Sequence, residues 1–467
     1  MHSRTVVFLA AMAASVFAQG RFQPGNAPFL AFDAPVVALT HVRVIDGTGA
    51  APREDQTIVI DHGRISAATA PPAGARVLDL RGHTVIPGIV GMHEHLFYPG
   101  GGGVPLYPEM GYTFPRLYLA AGVTTARTAG SVEPYTDLNI KAAIDAGRMP
   151  GPRLFVTGPY LEGKGAFTPQ MHELSGPEDA TRTVNYWADE GATSFKAYMN
   201  ITRAELAAAV AAAHKRGIKV TGHLCSVGFR EAAAIGIDNL EHGLLADTEF
   251  HAGKQPDVCP PATRNEVARL DVNGAPVRET IADLVKHNVA ITSTLAVFEA
   301  FDAERPPLDP RFLDAASPEA SLNYLTARAQ VSAAASAAAA AALKQELAFE
   351  VAFVRAGGLL AAGADPTGNG GALAGLADQR NIELLVEGGF TPVEAIRIAT
   401  YNGAKLLGEE RRTGTIAAGK DADLVVIEGN PAANIGDIRK VKLVFKEGAA
   451  YDPAKLLESV RGQAGLR

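Results

Sequence analysis

Short runs of alternating apolar and polar residues occupy both ends of the chain. Residues 36–80 hold three such runs between Gly and Pro turns, and a matching pattern returns at residues 414–424 and 441–447. Alternation with a period of two is typical of strands with one buried face. Because neither segment is apolar enough to form a core alone, we predict that residues 36–83 and 409–467 pair into one small β-sandwich domain.

Between these segments, strand-like and helix-like runs alternate, which is typical of a parallel sheet with crossover helices. Helices are predicted at residues 203–216 and 392–406, and in the Ala-rich stretch 331–343. Eight strands are predicted, at residues 85–92, 123–128, 153–157, 194–198, 219–223, 239–242, 290–295 and 359–365. We therefore expect an α/β fold with a (β/α)8 TIM-like barrel over residues 84–408. Long insertions, at 247–273 and 298–344, follow the sixth and seventh strands.

The first 18 residues have the features of a signal peptide. Arg4 gives a basic start, an apolar stretch follows, and small residues surround Ala18. A membrane anchor is the alternative, but the apolar stretch is shorter than the roughly 20 residues that a span requires. We expect residues 1–18 to be removed, residues 19–35 to form a leader, and the protein to be exported, periplasmic or secreted, with no membrane span after signal removal.

Charge and cysteine content narrow the functional classes. A formal net charge of -7 without a cluster of Lys and Arg argues against nucleic-acid binding, and a neutral or modest-sized small-molecule substrate fits better. Cys225 and Cys259 are too few for a disulfide scaffold. In an exported chain they could form one bridge or remain two free thiols, and the sequence leaves both open.

The end of the first predicted strand carries the first chemical signal. His93 and His95 are two residues apart, which puts both imidazoles on one side of an extended chain and turns Glu94 to the other side. This spacing suits two ligands of one metal ion, although two ordinary surface histidines would give the same pattern.

Four more metal-binding side chains fall at the ends of later predicted strands, where a barrel places its chemistry. His223 and His242 end the fifth and sixth strands and offer nitrogen ligands. Asp365 ends the eighth strand, where a carboxylate could ligate metal and accept a proton. Lys196 lies in the apolar fourth strand, where its amine must be paired, extended to solvent or chemically modified. With CO2 it could form a carbamate that bridges two cations.

With this order of residues the chain resembles the amidohydrolase superfamily. The similarity rests on P-G-I-V-G-M-H-E-H, G-V-T-T, the strand-end Lys, G-H, E-H-G, and G-T-I-A-A-G-K-D-A-D-L at residues 414–424. The carboxylated-lysine branch, which includes imidazolonepropionase-like proteins and Xaa-Pro or Xaa-Arg dipeptidases, is the most similar. The resemblance implies two divalent, zinc-like ions. His93, His95 and Asp365 would hold one, His223 and His242 the other, and a CO2-derived carbamate on Lys196 would bridge both.

The expected reaction is metal-dependent hydrolysis of an amide bond in a small peptide-like substrate such as an N-acyl amino acid or a dipeptide. Asp365 would shuttle the proton, and Tyr198, on the same strand face as Lys196, could donate to the carbonyl oxygen. Arg127 could bind a substrate carboxylate or form an internal salt bridge. There are two alternatives. The same site could act on a cyclic amide or a lactone, or the chain could be a non-catalytic exported binding protein. We also expect a homo-oligomer.

Overall fold

The structure is a computed structural model that describes residues 25–100, 106–261, 264–305 and 309–466. The predicted signal peptide at residues 1–18 lies outside these ranges. Within them, no helix is both long and apolar enough to cross a lipid bilayer.

The strands fall into three groups along the described chain. Six come first: β1 (Leu30–Phe32), β2 (Val36–Val44), β3 (Arg53–Asp61), β4 (Arg64–Ile65), β5 (Arg76–Asp79) and β6 (His83–Pro87). Nine follow: β7 (Ile89–Glu94), β8 (Val123–Thr128), β9 (Arg153–Phe155), β10 (Thr157–Leu161), β11 (Ser194–Ala197), β12 (Lys219–Gly222), β13 (Asn239–Glu241), β14 (Ala290–Ser293) and β15 (Leu360–Ala362). The last three are β16 (Leu424–Glu428), β17 (Val441–Lys446) and β18 (Ala449–Tyr451).

The first and last groups share one nine-stranded sheet, which we call the terminal sheet. Its order is β1-β18-β17-β16-β6-β2-β3-β4, and β5 pairs with β2. The two ends of the chain meet where β16 runs antiparallel to β6, with Leu424 opposite Pro87. The sheet is mixed, because β2 is parallel to both β5 and β6. The pairing of the two end segments therefore agrees with the sequence pattern, while a sandwich of two sheets stays a prediction.

The middle group forms two parallel sheets, β7-β8-β9 and β10 to β15 in sequential order. Their burial is nearly complete, as the continuous apolar composition of parallel strands requires. The last strand returns to the first, because the Asp365 amide donates to the His93 carbonyl oxygen at 2.9 Å. Gly363 permits this approach, since a Cβ there would lie 2.3 Å from the His93 nitrogen.

Two strand predictions were wrong at their boundaries. The predicted strand 85–92 is divided at Gly88 into β6, in the terminal sheet, and β7. Gly88 lies against Thr124, where a Cβ would come within 2.0 Å of the hydroxyl oxygen, and its amide bonds to Asp423. The predicted strand 153–157 is divided at Val156 into β9 and β10. Gly88 therefore marks the passage from one sheet to the other.

Most helices lie between the parallel strands and in the two insertions, three follow β15, and one follows β18. They span Phe114–Ala120, Pro134–Asp145, Pro177–Glu190, Arg203–Lys215, Phe229–Ile235, Arg264–Val267, Ala275–Lys286, Leu295–Glu299, Pro310–Ala315, Pro318–Ala329, Ala333–Arg355, Leu376–Gly388, Pro392–Arg397, Gly403–Leu407 and Pro453–Glu458. Short 3-10 turns cover Ala27–Phe29, Gly243–Leu245 and Ile435–Arg439.

The three helices predicted from sequence are present. Arg203–Lys215 begins at a capping box, in which Thr202 and Glu205 satisfy each other's backbone amides. The Ala-rich stretch opens the helix Ala333–Arg355. The segment 392–407 is helical with a π-turn at Ile398–Asn402, and Asn402 donates to the Leu360 carbonyl oxygen of β15 at 2.7 Å. This last contact fixes the strand that precedes Asp365.

Candidate metal centre

His93 lies on β7 and His95 directly follows this strand, with both residues buried, 1% and 2% exposed. The Nδ1 of His93 lies 2.8 Å from Glu241 Oε2. An ionised carboxylate can only accept, so this nitrogen carries the ring proton and Nε2 keeps its lone pair. The backbone of His95 is held by the Tyr118 hydroxyl, which donates to the His95 carbonyl oxygen at 2.9 Å. Glu241 therefore fixes the orientation of the His93 imidazole, and Tyr118 fixes the backbone that carries His95.

Asp365 follows β15 and closes the first ligand group. Its Oδ1 lies 3.3 Å from His95 Nε2 and 3.6 Å from His93 Nε2. One ligand atom from each of these three buried residues lies within 4.8 Å of the others. Thr367 fixes the carboxylate by donating from its hydroxyl to Oδ1 at 2.7 Å. The backbone of Asp365 has a φ of 46°, which turns its side chain out of the strand direction.

Lys196 ends β11 next to this group. Its Nζ lies 3.4 Å from His93 Nε2, and the residue is 1% exposed. Burial lowers the pKa of the amine to about 8, although the negative charges of Glu241 and Asp365 act to raise it. Only a neutral amine reacts with CO2. An amine of lowered pKa is neutral more of the time than the amine of an exposed lysine.

His223 and His242 extend the cluster on the far side of Lys196. Their ring centroids are 4.3 Å apart, and the His242 ring lies 4.6 Å from that of His93. The Nδ1 of His242 lies 2.7 Å from Thr294 Oγ1. Its Nε2 is buried and has no hydrogen-bond partner among the described residues. A buried nitrogen of this kind is costly unless a ligand occupies it.

The donor set fits divalent metal ions. Burial lowers the pKa of His93 to about 4 and that of His223 to about 3, so both rings are neutral near pH 7. The pKa of Asp365 is held well below its ordinary value, because the surrounding histidines outweigh the opposing effect of burial. Neutral imidazoles and an ionised carboxylate are the states in which these groups bind zinc-like ions. All six predicted side chains meet in one place.

A cavity of about 370 Å³ opens above these residues. Tyr198 lines it, 5.1 Å from the His223 ring, and Tyr160 packs against Tyr198 at 4.7 Å. A larger cavity of about 760 Å³ lies between the terminal sheet and the start of β9, where Arg153 and Glu447 line it. None of the six predicted ligands lines that second cavity, so the smaller one is the candidate active site.

Comparison with known proteins identifies the family. The model of the amidohydrolase family matches residues 84–450, more than three quarters of the chain. The chain belongs to the amidohydrolase family. As an amidohydrolase it is a hydrolase that acts on carbon–nitrogen bonds, in a family that generally binds metal ions.

This amidohydrolase is also similar to individual known proteins. The imidazolonepropionase of Mycolicibacterium smegmatis is 34% identical over 93 residues, which are 19% of this chain and 22% of that protein. A putative prolidase from Bifidobacterium longum has the same fold with a TM-score of 0.67 at 24% identity, covering 91% of this chain and 98% of its own. A Xaa-Pro dipeptidase with bound methionine gives 0.67 at 22% identity, covering 89% and 100%.

Glu241 and Tyr160 belong to the site of this amidohydrolase, although the sequence pattern did not single them out. Glu241 ends β13, is fully buried, and accepts hydrogen bonds from His93, Arg127, Thr221 and Asn239. Burial opposes its ionisation, but Arg127, His93 and Lys196 hold its pKa well below the usual range. Its position directly before His242, in the E-H-G motif, was the available signal.

Arg127 does not contact the cavity. It lies on β8, 4% exposed, and its guanidinium bonds to Glu241 at 2.5 Å. The sequence left two roles open for Arg127, and the structure shows the internal salt bridge. Its guanidinium does not line the cavity in which a substrate carboxylate would bind.

Cys225 and Cys259 are joined by a disulfide, with their Cα atoms 4.8 Å apart. Cys225 follows β12, two residues after His223, and Cys259 lies in the insertion after β13. The bridge therefore attaches this insertion to the strand that carries His223. Lys254 reinforces the attachment by donating to the Cys225 carbonyl oxygen at 2.7 Å.

Proposed function

We propose that this amidohydrolase is a two-metal hydrolase that cleaves an amide bond in a small peptide-like substrate. The observation that carries the proposal is the convergence of six side chains, from five strand ends, on one buried point beneath a cavity of about 370 Å³. We further propose that β7 to β15 close into a (β/α)8 barrel, in which β9 and β10 together count as one of the eight strands and the two parallel sheets are its parts; the hydrogen bond between Asp365 and His93 supports this.

Each side chain has a specific task in this proposal. His93, His95 and Asp365 hold one zinc-like ion, and His223 and His242 hold the second. Lys196 reacts through its neutral amine with CO2, forming a nitrogen–carbon bond and releasing a proton, and the resulting carbamate lies between the two groups. Divalent ions bound here supply a water molecule of lowered pKa and polarise the scissile carbonyl.

The chain's own groups then manage protons and charge. Asp365 accepts the proton of the attacking water and delivers it to the leaving nitrogen. Tyr198 donates its hydroxyl proton in a hydrogen bond to the carbonyl oxygen as negative charge develops there. Glu241 keeps the His93 ring in the tautomer that leaves Nε2 free. We further propose that the protein acts outside the cytoplasm, where the disulfide is stable, and as a homo-oligomer.

Metal content and hydrolysis measured on the same preparation test this function. We expect close to two transition-metal ions per chain by plasma mass spectrometry, and metal-dependent hydrolysis on a panel of N-acyl amino acids, dipeptides and their blocked amides. Fewer than one ion per chain, together with no hydrolysis, would contradict the proposal.

A lysine variant tests the carbamate separately. Lys196→Ala should lose most activity and about one metal ion per chain, and short carboxylic acids added at high concentration should restore part of both. Lys440→Ala is the matched control, because Lys440 is exposed and pairs with Asp437 on the surface. Full metal content in the Lys196→Ala protein would exclude a bridging role for this residue.

A further inference from the structure

Phe and Tyr side chains form a large part of the described cavity wall around the candidate metal centre. On one side, Tyr107 packs against Phe97 at 5.5 Å and against Phe167 at 5.6 Å. Phe167 in turn lies 5.8 Å from Tyr198. These rings form a continuous surface, which we call the aromatic wall. A surface of this size suits a bulky, flat group of a substrate better than a small polar one.

Apolar side chains line the cavity next to His242 as well. Val297, Phe298 and Phe301 are among them, and the Phe298 ring lies 5.4 Å from that of His242. Apolar surface therefore borders the ligand set at His242 as well as at His223, which packs against Tyr198. A substrate bound with its amide at the metal centre would contact apolar groups of both sets.

The described lining of the cavity offers no free side-chain cation to a substrate carboxylate. Among the described residues that line the cavity, the one Lys or Arg is Lys196, whose amine is enclosed by the ligand cluster. Arg127 lies below the cavity and is already paired with Glu241.

The electrostatic consequence follows from this lining. A substrate carboxylate that packs against the aromatic wall, away from the metal centre, loses hydration, and no Lys or Arg side chain of the described lining is free to replace it. An uncharged group of similar size incurs no such penalty, and an aromatic one gains contact with the aromatic wall.

We propose that this site selects amides that are uncharged on both sides of the scissile bond and carry at least one aromatic or bulky apolar group. The inference rests on the proposed hydrolase function and narrows it. Peptide-like substrates with blocked ends are favoured over free dipeptides and over N-acyl amino acids with a free carboxylate.

A matched substrate pair tests the charge requirement. N-benzoyl-phenylalanine and its carboxamide share the same scissile bond, and benzoate release, followed by chromatography, reports cleavage of that bond alone. We expect kcat/KM for the carboxamide to exceed that for the free acid by at least about 10-fold, which corresponds to about 1.4 kcal/mol. N-acetyl-alanine amide, neutral but small, should be cleaved more slowly than the benzoyl carboxamide.

A variant that adds a cation provides a second test of the charge requirement. Phe167 is 40% exposed at the cavity edge, so Phe167→Arg places a guanidinium there without opening the core. It should reduce the preference for the carboxamide by raising kcat/KM for the free acid. Val77→Arg is the matched control, since Val77 is 51% exposed on β5 of the terminal sheet.

The outcomes separate the inference from the function on which it rests. Equal or faster cleavage of the free acid by the unmodified protein would overturn the charge selection and leave the amide hydrolase intact. Equal cleavage of the acetyl-alanine and benzoyl carboxamides would overturn the role of the aromatic wall. If the metal-loaded protein cleaves no amide of the panel, the proposed function fails, and the inference fails with it.

Discussion

Tyr198 is the side chain that the proposed reaction uses as a hydrogen-bond donor. Burial, reinforced by the negative charge of Asp365, raises the pKa of its hydroxyl well above the ordinary value. The hydroxyl therefore keeps its proton near neutral pH. A phenol in this state can stabilise an oxyanion without itself ionising.

Replacing Tyr198 by Phe removes this donor and keeps the ring that packs on His223. We expect kcat to fall by about 100-fold, with KM changed by less than about 3-fold, because the hydrogen bond strengthens only as charge develops. Steady-state kinetics on a neutral amide measure the effect. Tyr401→Phe, outside the cavity lining, is the control. A rise in KM with unchanged kcat would assign Tyr198 to substrate binding instead.

Thr294 positions a proposed metal ligand without contacting the metal. Its hydroxyl lies 2.7 Å from His242 Nδ1 and fixes the ring with Nε2 turned toward the cluster. Thr294→Val keeps the side-chain shape and removes that partner, so metal affinity should fall by about 10-fold or more. Competition with a fluorescent chelator measures it. Thr400→Val removes a comparable buried hydrogen bond, to Ile396, and should leave metal affinity unchanged.

The strands explain how much of the site the sequence could predict. Parallel strands end at one edge of a sheet, so His223, His242 and Asp365 could be brought together from their positions along the chain alone. Tyr160 was missed because the third strand was predicted to end at Thr157, whereas β10 runs on to Leu161 and carries Tyr160 into the cavity. That extension depends on pairing with β11, a long-range contact with no local signal.

Buried charges set a second limit on prediction. Arg127 in an apolar strand is equally compatible with a substrate-binding role and with an internal ion pair. Which of the two roles Arg127 takes depends on whether Glu241 faces it. That depends on how β8 is placed relative to strands that are distant in the sequence. Register is set by the assembled core and not by the residues flanking Arg127.

Glu447, in the turn between β17 and β18, contributes a link between the terminal sheet and β9. It accepts from Arg153 at 2.7 Å, and Arg153 also bonds to Asp421 and Asp423. Burial opposes ionisation of Glu447, but Lys446, Arg153 and Arg412 lower its pKa to about 2. The carboxylate therefore stabilises the folded state fully above its ordinary pKa of 4.5, and this contribution is lost as pH falls toward about 2.

Glu447→Gln tests this link through its pH dependence. The side chain is 45% exposed, so solvent screens the pair, and we expect a loss of only about 1 kcal/mol in the free energy of unfolding at pH 7. The difference from the unmodified protein should shrink between pH 5 and pH 3, measured by urea denaturation. Glu458→Gln, in an exposed pair with Arg461, should cost less at every pH. A difference that grows on acidification would contradict the assignment.

Metal binding should stabilise the protein as a whole, because the proposed ligands join elements that are far apart in sequence. His93 and His95 come from β7, and Asp365 follows β15, so an ion shared by them connects the first and last parallel strands. The apo protein keeps several buried polar groups, His242 Nε2 among them, without partners. An ion present at 1,000 times its Kd stabilises the folded state by about 4 kcal/mol.

Chelator-treated protein should therefore unfold at a lower temperature, and zinc should restore the original Tm.

The effect of metal removal on hydrogen exchange should be local. Amides of β7 and β15 should lose protection, whereas those of β16 and β17 should keep theirs, because the terminal sheet carries none of the ligands. Asp365→Asn keeps the side-chain shape and removes the charge, so zinc should raise its Tm less than that of the unmodified protein. Equal loss of protection in β16 and β17 would show that the two regions unfold as one cooperative unit, and an unchanged Tm on chelation would remove the metal from the account of stability.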